Sequence, residues 1–361
     1  MQKKIIALAV AGLLSGAAFA QTNVTISGVL DVGANNAKAQ NKETSTNAAY
    51  NNTATSNIAF RAQEDLGGGL KAGAFFETDI RGAGAMADFQ RYVFINGGFG
   101  EISLGQRTNF STTTGTVAQP FGTALGGGYS SAFGRLRGGG FEATGNYSAT
   151  TGRDVRANGS IRYDSPNFAG FTAGLSWKPE NDGANETTAS NGHLNLGLNY
   201  ANGPIRVSYA YAKISNAVPA GAAGSFNAVT GAFTAATPYD SSIKHNLLGA
   251  NYTFGAFTLY GGYTTSKADT AAAAGNEADS RSWNIAAKFA ATGNIDLMAN
   301  YLRDNDKTAA NADRKLLGLG MDYKFSKRTA AYLRYETLDT NTNNSAAGKL
   351  TTYGAGLRHA F

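Results

Sequence analysis

The 361-residue chain has no cysteine, which excludes disulfide bracing, thiol catalysis and thiolate metal sites. Beyond residue 20 no stretch reaches 18 uninterrupted apolar residues, so nothing there reads as a transmembrane helix. Charge of one sign is also scarce: 31 basic residues stand against 25 acidic, and no Lys/Arg cluster is interleaved with a nucleic-acid-reading motif. No nucleic-acid partner is expected. The signatures G-x-S-x-G, H-E-x-x-H and G-x-x-x-x-G-K-[ST] are missing from residues 21–361. The three histidines, His193, His245 and His359, fall on separate segments and assemble no paired nucleophile and base. A hydrolase reading therefore has nothing to carry it, and neither a cofactor nor a metal is expected.

What is present begins with MQKKIIALAVAGLLSGAAFA, where two lysines precede an apolar run from Ile5 to Leu14 and the small-residue end Ala18-Phe19-Ala20. This pattern predicts a secretory signal over residues 1–20, cleaved so that the mature chain starts at Gln21. Without Lys3 and Lys4, 29 basic residues face 25 acidic ones, a mild excess of +4. An exported chain of slightly negative mean hydropathy fits a water-soluble protein. It fits a transmembrane barrel equally, because lipid-facing residues alternate with polar lumen-facing ones. With 46 Gly, 17 Tyr, 20 Phe and only 6 Pro, the composition favours the barrel over an exported globular enzyme.

Seven tight turns separate alternating segments: EDLGGGL (Glu64 to Leu70), GGFGE (Gly97 to Glu101), PNFAG (Pro166 to Gly170), YANGP (Tyr200 to Pro204), TFGAF (Thr253 to Phe257), AATGN (Ala290 to Asn294) and FSKRT (Phe325 to Thr329). Gly and Asn supply the positive φ of short hairpins. Eight longer polar stretches lie between them, near 33–56, 79–90, 108–155, 178–191, 213–242, 266–280, 303–313 and 339–349. Fifteen connections imply sixteen strands. An even number brings VTISGVLDV beside the final strand and closes the sheet. The predicted fold is all-β: one sixteen-stranded antiparallel transmembrane β-barrel over residues 21–361. In HLNLGLNY, for example, Leu194, Leu196, Leu198 and Tyr200 share the lipid face, opposite His193, Asn195, Gly197 and Asn199. In YGAGLRHAF, Tyr353, Ala355, Leu357, His359 and Phe361 likewise share one face.

The connection from Thr108 to Val155, with Gln119-Pro120-Phe121-Gly122 and two triple-glycine runs, is too long for an ordinary turn. It is predicted to fold into the lumen and narrow it. Parity places Arg61 inward with Asn57 and Gln63, and Arg107 inward with Ser103 and Gly105. It also puts Arg156 and Arg162 on one inner face with Asn158, Ser160 and Asp164, and Glu77 and Asp79 inward on their own strand. Parity does not place Arg91, whose strand is apolar on both faces. The cost of a guanidinium facing lipid at mid-depth, roughly 2–4 kcal/mol, favours the lumen, although near a rim the side chain could snorkel. Arginines facing Glu77 and Asp79 across a narrow passage would create a transverse field and a mild anion preference, screened beyond about 10 Å at 0.1 M salt.

The segments FRAQEDLGGGLKAGAFFE (Phe60 to Glu77), GGFGEISLG (Gly97 to Gly105), VRANGSIRYDSPNFAGF (Val155 to Phe171) and the terminal GLRHAF resemble the general diffusion porins of Gram-negative bacteria, in the branch of Neisseria, Bordetella and Burkholderia relatives. The resemblance implies an outer-membrane homotrimer with one pore per subunit, the third loop folded inward, and often an anion preference through lumen arginines. It implies passive diffusion of small hydrophilic solutes and ions. Arg61, Arg156 and Glu77 match positions of the family pattern. Asn57 stands where relatives often carry arginine, Arg91 is displaced by about two residues, and Arg107 sits one residue later than in the common LGRQ, so a weaker selectivity is expected. The last strand, with Tyr353, Leu357 and Phe361, resembles the signal read by the outer-membrane assembly machinery. Two other functions stay open: a substrate-specific channel, whose usual aromatic slide the sequence alone does not assemble from Phe110, Phe121, Tyr129 and Phe133, and an adhesive or receptor barrel acting through its loops.

Overall fold

The computed structural model describes residues 23–39, 45–50, 53, 56–80, 89–123, 125–128, 156–179, 192–215, 225–227, 232–234, 241–270, 279–307, 313–340 and 348–361. The expected signal segment, most of the third connection, and Tyr129 and Phe133 lie outside them. In chain order the first strands are β1 (Asn23–Ala39), β2 (Ser45–Tyr50), β3 (Asn57–Gly67), β4 (Leu70–Asp79), β5 (Gln90–Gly97) and β6 (Gly100–Thr108). Helix α1 (Phe110–Val117) follows, then β7 (Arg156–Asp164), β8 (Phe171–Lys178), β9 (Gly192–Asn202) and β10 (Ile205–Ser215). The remainder are β11 (Ser225–Asn227), β12 (Ala232–Thr234), β13 (Ser241–Phe254), β14 (Phe257–Thr270), β15 (Asp279–Ala290), β16 (Ile295–Asp306), β17 (Arg314–Lys324), β18 (Thr329–Thr340) and β19 (Lys349–Ala360).

Every strand of the wall pairs antiparallel with its neighbours. The ring closes where Val29 meets Ala360 and Ala39 meets Leu350, while the start of β1 pairs with β3 from Asn23↔Gln63 to Val29↔Asn57. Strand β2 is an addition, paired only to the upper part of β1, and β11–β12 form a separate two-stranded ribbon. The other sixteen strands each pair on both sides and make a closed antiparallel barrel. All seven tight turns fall between strands as expected. Gly203 and Pro204 link β9 to β10, and Gly203 adopts φ +54°, a conformation that a side chain would strain.

The alternation separates two environments. Large apolar side chains stay open on the outer face, among them Ile285 at 61%, Leu198 at 56% and Leu333 at 53% exposure, while inward neighbours such as Asn284, Asn195 and Ser208 are buried. Hydrocarbon is the solvent that makes this arrangement favourable, and strands of 8 to 17 residues suit a tilted crossing of an apolar band about 25 Å tall. Among the described residues no helix is long and apolar enough to cross a membrane. Aromatic pairs mark both ends of the band: Phe171–Tyr200 (ring centres 4.4 Å apart) and Phe257–Phe289 (4.5 Å) near the tight turns, Trp283–Tyr301 (5.7 Å) and Tyr335–Tyr353 (5.2 Å) toward the long connections. Several strands run further than the polar stretches implied: β1 continues to Ala39, β14 to Thr270 and β16 to Asp306. Beyond the bilayer both faces of a hairpin meet water, so pairing persists without an apolar face to announce it.

Candidate functional site

After β6 the chain turns into the barrel as α1. Asn109 offers no side-chain cap to this helix; instead the wall residue Asn195 accepts from the Phe110 N–H (2.7 Å) and donates to Ser111 Oγ (3.1 Å). The Phe110 ring lies against Gly174 and Gly197, where a Cβ atom would overlap it. Thr114 and Ser208 hydroxyls meet at 2.6 Å, and the amides of Asn251, Asn284 and Asn300 donate to the carbonyls of Val117 (2.9 Å), Ala118 (2.8 Å) and Gly127 (2.8 Å). Glu336 of β18 closes the series, accepting from the Gly126 and Gly127 N–H groups at 3.0 and 2.9 Å. Buried backbone groups of a loop need partners, and here the wall supplies them. A small apolar patch, Ala118 with Leu247, Leu302, Leu316 and Leu338, fills the space between loop and wall, where simple alternation would put water-facing residues.

The stretch Gln119 to Gly122 makes the tip of this inward segment, but its side chains do not all face the passage. Gln119 donates to the Gly115 and Gly122 carbonyls (2.9 and 2.8 Å) and accepts from the Phe121 N–H (2.6 Å), stitching its own turn. Phe121 is 2% exposed and packs toward the wall, its ring centre 5.6 Å from the Arg334 guanidinium carbon. Pro120 and Gly122 are half-buried, and Gly122 holds φ +62°. Phe110 and Phe121 are thus both packed away and cannot form an aromatic slide.

On the wall of β3 to β7 three arginines come together. Arg107 Nη1 bonds Glu101 Oε1 (2.8 Å), Ser103 Oγ (2.9 Å) and Asp164 Oδ2 (2.9 Å). Arg162 grips Asp164 with two nitrogens (2.8 and 2.6 Å) and donates to the Thr108 carbonyl (2.6 Å). Arg61 is the most open, its side chain 36% exposed, with only long contacts to Glu101 (3.7 Å) and Gln63 (3.4 Å). Each guanidinium lies over a ring: Arg61 over Phe94 (4.2 Å), Arg107 over Tyr92 (4.5 Å) and Arg162 over Phe110 (3.9 Å). Such stacking, about 0.5–2 kcal/mol each, fixes the plane of the cation without consuming its N–H donors. Three guanidinium groups against the two carboxylates Glu101 and Asp164 leave the group positive.

Other expected site residues fall elsewhere. Arg91 pairs opposite Phe76 and Gln106 on the outer face, beside exposed Val93, and stands one residue from the upper end of β5; the lumen placement is corrected. At that rim a long side chain can reach polar surroundings, which removes the mid-depth cost. Arg156 does not share a face with Arg162. The β6–β7 ladder slips between Gly105 and Arg107, with Gly159 at φ +72°, and this bulge shifts everything before it to the opposite parity. Arg156 therefore pairs opposite Thr108 and stacks over Phe89 at 4.5 Å. Glu77 does not face the arginines across the passage. It sits on β4, within their own wall, 7% exposed and capped by the amides of Asn57 and Gln90 (2.7 Å for the latter), while Asp79 pairs opposite Asn57 at the strand end. The carboxylates that meet the arginines are Glu101 and Asp164. Sequence reasoning did not single out Arg334 and Glu336; two charged residues on one face of β18 were the available signal.

Residues 7–343 match the Gram-negative porin family. Across its full length the chain is 31% identical to outer membrane porin protein 32 of Delftia acidovorans, covering all of both chains. It is 28% identical to the major outer membrane protein P.IB of Neisseria lactamica over 85% of this chain and 83% of that one. The solved structure of an anion-selective porin from Comamonas acidovorans superposes with a TM-score of 0.74 at 23% identity, covering 94% of this chain and 100% of the other. The closed barrel and these matches place the protein in the outer membrane, and the chain belongs to the Gram-negative porin family.

Proposed function

We propose that the chain is a water-filled pore for passive diffusion of small hydrophilic solutes and ions, with a mild preference for anions. The observation that carries this reading is the row Arg61, Arg107 and Arg162, positive overall and stacked so that Arg61 keeps donors toward the passage. The anion-selective porin of Comamonas acidovorans supports the sign. Two of the three cations are paired, so the preference is modest, and it fades as the screening length falls from about 10 Å at 0.1 M salt to about 3 Å at 1 M.

The functional form is proposed to be a homotrimer joined through the outer face of β1 and β3 to β6. Among the described residues that face exposes Val24, Ile26, Leu30, Val32, Val93, Ile102 and Leu104 but neither Tyr nor Trp, whereas Tyr163, Trp177, Tyr252, Tyr263, Trp283, Tyr323 and Tyr353 are exposed from β7 onward. Membrane interfaces favour Tyr and Trp, and a surface covered by another subunit has no need of them. Residues 1–20 act as the export signal, and Tyr353, Leu357 and Phe361 as the element presented to the assembly machinery. All three are exposed on the outer face of the closing strand.

The test is the reversal potential of the purified protein in a planar bilayer under a tenfold KCl gradient at low salt. The wild type should reverse on the anion side, and Arg61→Ala with Arg107→Ala should move it toward zero. A potential unchanged by the double substitution, or one on the cation side, removes the arginines from this role.

A further inference from the structure

Between β2 and β3 the chain re-enters the barrel. Asp31, on the inner face of β1, is fully buried, and its Oδ2 accepts from both the N–H and the hydroxyl of Thr53 (2.6 and 2.7 Å). Its Oδ1 accepts from the Tyr332 hydroxyl of β18 (2.6 Å). Ser56, also fully buried, ties the same point again: its Oγ accepts from the Asp31 N–H (3.0 Å) and donates to the Asp31 carbonyl (3.1 Å). Thr53 held this way lies beside the tip of the third connection, since a Cβ built on Gly122 would stand 3.5 Å from the Thr53 carbonyl oxygen. Tyr332 alternates along β18 with Arg334, which backs Phe121, and with Glu336, which holds Gly126 and Gly127. One strand face thus grips both inward segments.

We propose that Asp31 is a positioning residue for the passage: it draws Thr53 and Ser56 into the lumen against Gly122, so that two loops rather than one set the bore. Tyr332 links that anchor to the strand that carries the third loop. A buried carboxylate that accepts from three donors among the described residues is a rigid attachment, because each donor lost leaves charge uncompensated. The proposal rests on the pore reading above for its functional meaning, while the docking it describes can be measured separately.

The experiment combines single-channel conductance with thiol labelling, which the cysteine-free chain makes clean. Asp31→Asn, Thr53→Val and Tyr332→Phe are compared with wild type after each is shown to fold by heat-modifiable gel mobility. Each should raise conductance beyond the spread of wild-type channels and admit larger neutral solutes, while the reversal potential, set by Arg61 and Arg107, stays put. In parallel, Thr53→Cys is labelled with a membrane-impermeant maleimide with and without Asp31→Asn. Loss of a charge-assisted hydrogen bond predicts labelling roughly tenfold to hundredfold faster in the double variant. Equal labelling rates overturn the docking. Faster labelling with unchanged conductance overturns the role in the bore. A wild type that does not conduct would defeat the pore reading, and the labelling would still decide whether Asp31 docks the loop.

Discussion

On the wall of β3 to β7, guanidinium groups lie over aromatic rings, and Arg61 stays open with only long polar contacts. On the wall of β10, β13 and β15 to β18, by contrast, amides, a carboxylate and missing Cβ atoms are engaged in holding the backbone of residues 110–128. Both walls are polar inside, yet among the described residues the first keeps the Arg61 charge open while the second commits its amides and Glu336 to the loop backbone. Side chains of the second have been converted into a scaffold, and the apolar patch of Leu247, Leu302, Leu316 and Leu338 beneath the loop shows how little water that wall needs to meet. Substitutions on the first wall should therefore change which ions pass, and those on the second how large a solute passes and how firmly the barrel holds together.

The largest effect on the size of solute that passes is expected from Gly318→Val. A Cβ at Gly318 would overlap the Gly126 carbonyl, so the loop end must leave its seat. Overpacking of this kind costs about 1–3 kcal/mol, and liposome-swelling assays should show larger sugars entering; an unaltered swelling rate would break the distinction between the walls. Glu336→Ala comes next. It strands the Gly126 and Gly127 N–H groups at a cost of about 1–3 kcal/mol each, so the thermal midpoint by circular dichroism should fall and brief closures should appear in single-channel records. Glu336→Gln keeps an acceptor oxygen and should lie between. The smallest effects belong to the two displaced arginines. Arg156→Ala should shift the reversal potential less than Arg61→Ala does, and Arg91→Ala should not shift it at all, since its guanidinium leaves from the outer face.

Much of the fold was legible in the residues. Seven Gly- or Asn-bearing turns and eight polar stretches gave sixteen strands, and in HLNLGLNY the inward face of His193, Asn195 and Gly197 is the buried one. The site was legible only in part. Arg61, Arg107 and Arg162 do meet, but the bulge at Gly159 removed Arg156 from their face, and a two-sided apolar strand concealed the outward course of Arg91. Glu77 was placed inward correctly without any sign that Asn57 and Gln90 would cap it.

The division has a physical origin. Alternation with a period of two is a local property: each residue answers to lipid or to lumen, and the chain writes that answer residue by residue. The sequence by itself therefore determined a closed barrel, its strand number and its outward face. Which inward side chains meet is decided by the inward loop and by closure of the ring, through contacts such as Gly126 with Glu336, 210 positions apart, and Tyr332 with Asp31, 301 apart. Such pairs carry no local signal, because nothing near either residue specifies its partner. Only the closed tertiary structure brought them within bonding distance.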